Sequence, residues 1–409
     1  MKKDKKNIFV GMSGGFGPLS QVLPIIESFD KEKFDITCFI ASSSATLVKN
    51  LKYKFLEAPY VEPPKNLIPK GHKWCNIDHY WGRFGYIDSD YVNAMIPARV
   101  EAIRTCSPDF IISQFSPPTE IAARILKVPL ISITQSCMHP KGKRVSWWEE
   151  ATESYPKAAP IVSDLMKRYG LDPIDRMEEL NRGDLTIIPS FPEFDPIDDD
   201  VIYIGPLLWE SSGKQYETIK IKDNSSWKKN RPLIYAYTGN LYDSAGASGI
   251  KILKNVIKAF GNSEFDVIVS TGLGQSLKEI REIPGNIKIM DWVPATELIK
   301  ECDITIHHGG HGSCMLNIIN GIPAVIIPTF SEREFNARQV KALGVGNFIL
   351  PMELTPSGLY DEVLRCLRDE RVFNRAKDLA YKIRLRNYGG GIEAKKYILD
   401  YVNRRNHSV

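Results

Sequence analysis

The residues best suited to chemistry in this chain stand together at His307-His308-Gly309-Gly310-His311-Gly312-Ser313. An apolar run, Asp303–His307, precedes them, and Ser313–Asn320 follows with helical spacing. The pattern predicts a strand, a glycine-rich turn and a helix start. Glycines let backbone amides approach a ligand, and the first turn of a helix offers unbonded N–H groups at the positive end of its dipole. With Ser313 and the imidazoles as further donors, the segment suits a phosphate or pyrophosphate. Three histidines also raise a metal reading, but glycine-rich spacing gives metal ligands no fixed geometry, so none is expected. His307, on the strand, fits a core position better than His308.

Two other strand-to-helix turns stand beside this one. Gly11–Pro18 follows the strand Ile8–Val10, and it lacks a GxGxxG spacing. Thr238-Gly239-Asn240 follows the strand Leu233–Thr238. Upstream of the histidines, Asp291-Trp292-Val293-Pro294 offers an indole for stacking on a base. Downstream, Ser331-Glu332-Arg333-Glu334-Phe335-Asn336 brings charge to another strand end. His72, Cys75 and His79 do not match a common zinc spacing and have no evident fourth ligand.

The elements that must position these residues alternate. Helices are expected at 20–29 (with Ser20 as cap), Tyr91–Thr105, Thr119–Leu126, 250–260, Ser313–Asn320 and Glu334–Leu343. Strands are expected at Phe34–Ile40, Asp109–Ser113, Pro129–Thr134, Phe265–Ser270, Ile287–Met290 and Ala324–Ile327. Continuously apolar strands alternating with helices imply parallel sheets covered on both faces. Residues 57–90 and 139–180 break the rhythm with aromatic-rich loops, and Pro189–Trp209 is punctuated by Pro and Asp like a boundary. The expected division is 1–205, 206–388 and a final helical segment, 389–409.

The chain has 409 residues, of which 43% are apolar and 25% charged, enough for two cores. The formal charge of +4 gives no reason to expect nucleic acid as partner. No run approaches the ~20 apolar residues of a membrane helix. The short apolar run after the basic start is too brief for a secretory signal, and seven scattered cysteines without a CxxC fit reduced thiols. A cytoplasmic chain without integral membrane association is expected.

At these residues the chain resembles the nucleotide-sugar glycosyltransferases of the two-domain GT-B class, and especially bacterial members related to the plant and macrolide UDP-glycosyltransferases. The matching segments run in order: the first Gly-rich turn, SPDFIISQFSPPTEIAARILKVPLISI, IGPLLW, RPLIYAYTGN, WVPATELI, HHGGHGSCMLNIINGIPAVIIP, EREFNARQV and GGGIEAKKYI. The resemblance implies an α/β fold of two doubly wound Rossmann-like domains facing each other across a cleft. It implies acceptor binding by the first domain, nucleotide-sugar binding by the second, and a last helix, 389–409, that packs back on the first. The implied reaction moves a sugar from a UDP or dTDP sugar to a small-molecule acceptor such as a natural product, with inversion. The donor is a co-substrate; no cofactor and no metal are implied.

Residue by residue, the resemblance places Trp292 on the nucleobase and Val293 at its edge. His308 and Ser313 fall on the diphosphate, helped by Gly310, His311, Gly312 and Cys314. Thr238, Gly239 and Asn240 fall near the phosphates or sugar, and Glu332 and Arg333 on donor-sugar hydroxyls. Phe16 and Gln114 fall on the acceptor side, where Trp81, Trp147 and Trp148 would line the site. The sequence departs from the family at several of these positions. Phe16 stands where the general base is usually His, and Ser113-Gln114 where its Asp partner is usual. The ribose-binding Glu falls at Leu316, with Asn317 adjacent, and the usual Asp/Glu-Gln pair is Glu332-Arg333. Candidates for a replacement base, from the 70–90 and 139–150 loops, are Asp78, His79, His139, Glu149 and Glu150. Two alternatives stay open: a non-catalytic nucleotide-sugar-binding partner, or a transferase acting on a lipid-linked acceptor.

Overall fold

The computed structural model describes residues 5–12, 15–40, 51–65, 76–144, 156–209, 231–242, 246–272 and 275–406. The chain divides into two compact units, Met1–Trp209 with Tyr388–Val409, and Glu210–Asn387.

The first unit carries a seven-stranded sheet in the order β3-β2-β1-β4-β5-β6-β7. Its strands are β1 (Lys6–Met12), β2 (Phe34–Ile40), β3 (Lys54–Glu57), β4 (Phe110–Gln114), β5 (Leu130–Ile133), β6 (Leu185–Ile188) and β7 (Ile202–Tyr203). All adjacent pairs are parallel, with Ile8 opposite Ile36 on one side and Phe110 on the other. Alternate residues of β1 face opposite layers. Ile8, Val10 and Met12 pack with Val22, Ile25 and Ile26 of α1 (Phe16–Glu27) and with Ala394, Ile398 and Val402 of α12 (Gly390–Asn406). Phe9 packs with α3 (Ser89–Cys106), α4 (Pro117–Leu126) and α5 (Ala159–Arg168). A short helix, α2 (Ile77–Trp81), joins that second layer.

The second unit has a six-stranded parallel sheet, β10-β9-β8-β11-β12-β13. It comprises β8 (Leu233–Tyr237), β9 (Asp266–Ser270), β10 (Ile287–Met290), β11 (Ile304–His307), β12 (Ala324–Ile326) and β13 (Gly346–Phe348). Its helices are α6 (Ser248–Phe260), α7 (Ala295–Leu298), α8 (His311–Asn320), α9 (Ser331–Leu343), α10 (Pro356–Arg368) and α11 (Glu370–Leu385). In both sheets the strand order reverses direction beside the first strand of the unit, the place where open parallel sheets bind ligands.

Two expectations about local structure differ. Helix α1 begins at Phe16 with Gly15 before it and no side-chain cap, while Ser20 lies inside and its hydroxyl donates to the Gly17 carbonyl at 2.8 Å. Helix α8 begins at His311 rather than Ser313. No helix among the described residues is long and apolar enough to cross a membrane.

Candidate functional site

The turn from β11 to α8 is built by its backbone. Gly309 has φ +90°, and a Cβ there would stand 2.9 Å from the Arg333 carbonyl oxygen and 3.1 Å from the Arg333 Cβ. Only glycine fits both the conformation and the space. A Cβ on Gly310 would lie 2.9 Å from His308 Nε2, and one on Gly239 (φ +69°) 3.2 Å from His308 Nδ1. Gly239 and Gly310 therefore let the His308 ring lie between the turns after β8 and β11. Its ring meets Tyr237 edge-on at 5.1 Å. Gly310 precedes α8 without a side-chain cap, so the helix start presents its amides to whatever binds there.

The neighbouring turns close in on the same end of the sheet. Thr238 is buried, and its hydroxyl donates to the carbonyls of Gly239 at 2.8 Å and Ser270 at 3.4 Å. Asn240 is exposed, and a Cβ on Gly272 (φ +83°) would come within 2.8 Å of its Oδ1. Beyond β12, the Arg333 guanidinium lies over the Phe330 ring at 4.0 Å and donates to Thr329 Oγ1. Asn336 donates to the Gly309 carbonyl at 2.9 Å and to Glu332 Oε1 at 2.6 Å, tying α9 to the glycine turn. Tyr237, Thr329, Phe330 and Asn336 were not singled out as site residues from the sequence. The i, i+4 spacing of Glu332 and Asn336 is the one signal that points to their pairing.

Electrostatics separate the histidines from the arginine. Burial pushes His307 down to about 3, and its Nδ1 accepts the Gly309 N–H at 3.1 Å. It is a core residue that shapes the turn. His308 is also held well below its ordinary range, by burial first and then by Arg333 and His307. Both rings are neutral at pH 7. His308 can thus donate from one nitrogen and accept at the other.

Other residues of the sequence-derived donor set have different surroundings. Trp292 is partly exposed in the segment after β10. Val293 is buried beside Leu233, Tyr235 and Ile268, so only its backbone is free to meet a ligand edge. Cys314 is buried with its thiol toward the Gly309 carbonyl at 3.9 Å, while Gly312 and Ser313 are half-buried in the first turn of α8 with His311. The Asn317 amide nitrogen points inward, donating to Thr305 Oγ1 at 2.7 Å and the Ile322 carbonyl at 3.0 Å. It joins α8 to β11 and does not stand in for the missing ribose carboxylate at Leu316.

On the first unit, Phe16 opens α1, but its side chain lies outside the described residues, as do Trp147, Trp148, Glu149 and Glu150. Gln114 ends β4 and donates to Gln21 Oε1 at 3.1 Å. Trp81 is buried in an aromatic cluster with Tyr86 at 4.6 Å and Phe115 at 4.7 Å. Asp78 accepts the Ala159 N–H at 2.9 Å at the start of α5, and burial raises its pKa. His79 is buried on α2, with its backbone N–H donating to Asn76 at 2.9 Å. His139 is buried, accepts the Lys141 N–H at Nδ1, and is lowered to about 4 by burial. These three are set in the packing around α2, α5 and β5. The sequence reading passed over Glu120 on α4. Its carboxylate accepts from Ser113 Oγ at 3.1 Å and Ser116 N at 3.2 Å, and burial raises it to about 7. Among the described residues no group of three or more His, Cys, Asp or Glu could hold a metal; His72 and Cys75 lie outside them.

Residues 254–384 match the erythromycin biosynthesis protein CIII-like C-terminal domain. The calicheamicin glycosyltransferase CalG4 superposes with TM-score 0.73 at 19% identity, covering 98% of this chain and 99% of that one. The chain has the GT-B glycosyltransferase fold. Glycosyltransferase VinC, solved in complex with dTDP, superposes on this GT-B chain with TM-score 0.67 at 15% identity, covering 97% and 100%. In sequence, the GT-B chain is 27% identical to the NDP-glycosyltransferase YjiC of Bacillus subtilis over 70% of its own length and 71% of the relative's. It is 24% identical to the demethyllactenocin mycarosyltransferase of Streptomyces fradiae, over 51% of its own length and 44% of the relative's. Against that second protein the match spans less than half the relative.

Proposed function

We propose that this chain, a glycosyltransferase by homology and fold, moves a sugar from a nucleoside diphosphate sugar to a small-molecule acceptor. The observation that carries the reading is the β11–α8 turn, where Gly309, Gly310 and an uncapped helix start surround the neutral, buried His308. Such a turn receives a diphosphate through backbone amides and a helix dipole. In this reading His308, His311, Gly312 and Ser313 hold the diphosphate, Trp292 stacks on the base, and Thr238 to Asn240 flank the phosphates. Glu332 faces the sugar. Metal is not required, because the helix start supplies positive potential. Inversion follows if the acceptor oxygen attacks the anomeric carbon in a single displacement.

Leu316 offers no partner for a ribose hydroxyl, and VinC was solved with dTDP, so dTDP sugars join UDP sugars as proposed donors. The base is the open element, since Phe16 and Gln114 cannot take a proton at neutral pH. An acceptor that ionises by itself, such as a phenol or carboxylic acid, removes the need for one.

The test is binding followed by turnover. UDP or dTDP at 100 times its dissociation constant should stabilise the protein by ~2.7 kcal/mol. His308→Ala should weaken that binding by about 1–3 kcal/mol. Unchanged affinity would remove His308 from the diphosphate site. Tight diphosphate binding without transfer from any UDP or dTDP sugar would leave a nucleotide-sugar-binding protein.

A further inference from the structure

We propose that Arg333 acts on the donor's diphosphate, supplying the fixed positive charge for the leaving group rather than reading a sugar hydroxyl. This rests on the nucleoside-diphosphate reading of the β11–α8 turn and assigns that site its cation.

The residue type is the first reason. The amide usual at this position in the resembling family can both donate to and accept from a hydroxyl. A guanidinium only donates, keeps its charge at any working pH, and offers a planar fork that matches phosphate oxygens.

Position is the second. The Arg333 backbone is part of the phosphate turn's own packing, because its carbonyl oxygen and Cβ stand against Gly309. The guanidinium is held by Phe330 beneath it and by Thr329 Oγ1. Its charge acts on both Tyr237 and His308, the two rings that meet edge-on beside the turn. Glu332, one residue before, is oriented by Asn336 at 2.6 Å, which gives the carboxylate and the guanidinium separate supports.

The third reason is charge balance in the reaction. The acceptor oxygen forms a bond to the anomeric carbon while the bond from that carbon to the β-phosphate oxygen breaks. Its electron pair stays on the phosphate, the acceptor proton leaves to base or solvent, and the diphosphate gains one negative charge. His307 and His308 are neutral and bring no net charge of their own to the leaving group. A cation already in place stabilises it without reorganisation.

Arg333→Gln and Arg333→Lys test the assignment, with UDP, dTDP, uridine and thymidine as probes. Arg333→Gln should bind both diphosphates about 10–100-fold more weakly and the nucleosides as wild type does. Its transfer rate should fall by ~10²-fold or more. Arg333→Lys should recover a large part of the diphosphate affinity, which a purely packing role would not predict. Rising salt should weaken diphosphate binding more in wild type than in Arg333→Gln. If the Gln variant fails to fold, Arg333→Met, which keeps the stem over Phe330, carries the same comparison. Unchanged diphosphate affinity with an altered preference among donor sugars overturns the inference and returns Arg333 to the sugar. A wild-type protein that binds neither diphosphate overturns the functional reading itself, and that result is seen before any variant is made.

Discussion

The turns after β11 and β1 each leave a strand that borders the reversal of strand order in its own sheet, yet they are equipped differently. The β11 turn gathers His308, Gly309, Gly310 and the α8 start, and Asn336 and Arg333 support it from α9. The β1 turn opens α1 with Phe16, a residue without a titratable group, and the neighbouring end of β4 pairs Gln114 with Gln21. Below that pair the first unit buries a carboxyl, Glu120, held by Ser113 and Ser116. One turn concentrates polar chemistry on backbone geometry, and the other has amides and an aromatic. The contrast teaches that a diphosphate, which UDP and dTDP sugars share, is a group that a fixed backbone motif can meet. A variable acceptor leaves its side of the chemistry to side chains that change.

The comparison breaks most sharply at Gly309. Gly309→Ala combines positive-φ strain of about 1–3 kcal/mol with overlap against the Arg333 carbonyl costing about 1–3 kcal/mol more. Denaturant unfolding should register that loss, and calorimetry should show UDP and dTDP binding gone. Gly285→Ala, outside the turn, is the control: a Cβ there meets nothing within 4 Å. It should bind nucleotide within a few-fold of wild type. Equal behaviour of the two variants would mean that the turn's backbone is not what receives the ligand.

Glu120 gives the next effect, on the other unit. Its carboxyl is raised from the ordinary 4.5 to about 7 by burial. Between those values the folded state holds more protons than the unfolded chain, so stability falls as pH rises from 4.5 through about 7. The loss is on the order of 3 kcal/mol, and Glu120→Gln should flatten it in urea titrations across that window. His139, lowered to about 4, acts in the opposite sense: its part of the stability is lost as pH falls from 6.5 toward 4. A wild-type profile that Glu120→Gln leaves unaltered would show the carboxyl to be ionised in the fold.

Asp78 tests whether the first unit hides a base. Asp78→Ala leaves the Ala159 N–H without its acceptor, and should cost about 1–3 kcal/mol of stability. Transfer should fall by much less than the ~10²-fold that marks a positioned general base. A hundredfold drop in the chemical step with stability intact would restore Asp78 as a catalytic candidate. The smallest expected effect concerns the donor nucleotide. With Leu316 at the ribose position, dTDP should compete for the site within about tenfold of UDP, since no buried carboxylate rewards the extra hydroxyl. Competition binding checks it.

Much of the fold was legible in the sequence because its signals are local. Ile287–Met290 appears as expected, and the strands at 233, 266, 304 and 324 shift by a residue at an end. Their apolar runs are long enough to need burial on both faces. The short strands Lys54–Glu57, Leu185–Ile188, Ile202–Tyr203 and Gly346–Phe348 were missed; three of them are edge strands, which carry too few buried residues to show a pattern. Ser20 misled as a cap because the chain enters α1 through Gly15, five residues earlier. At the candidate site, the glycine turn and helix start were readable from spacing alone. The Asn336 link to Gly309 spans 27 residues of sequence and was not.

By itself, then, the amino-acid order determined two parallel α/β sheets and a glycine-rich turn at a helix start, because apolar periodicity and glycine act over a few neighbouring residues. Tertiary structure alone decided which polar residues belong to that turn. Asn317 looked like a ribose contact but faces Thr305 in the interior, and Asp78 looked like a base but accepts from α5. His308 is held well below its ordinary range because it is buried against the turns of Gly239 and Gly310, beside Arg333. Charge state and direction of a side chain depend on what is packed around it, and that packing joins residues that the sequence keeps far apart.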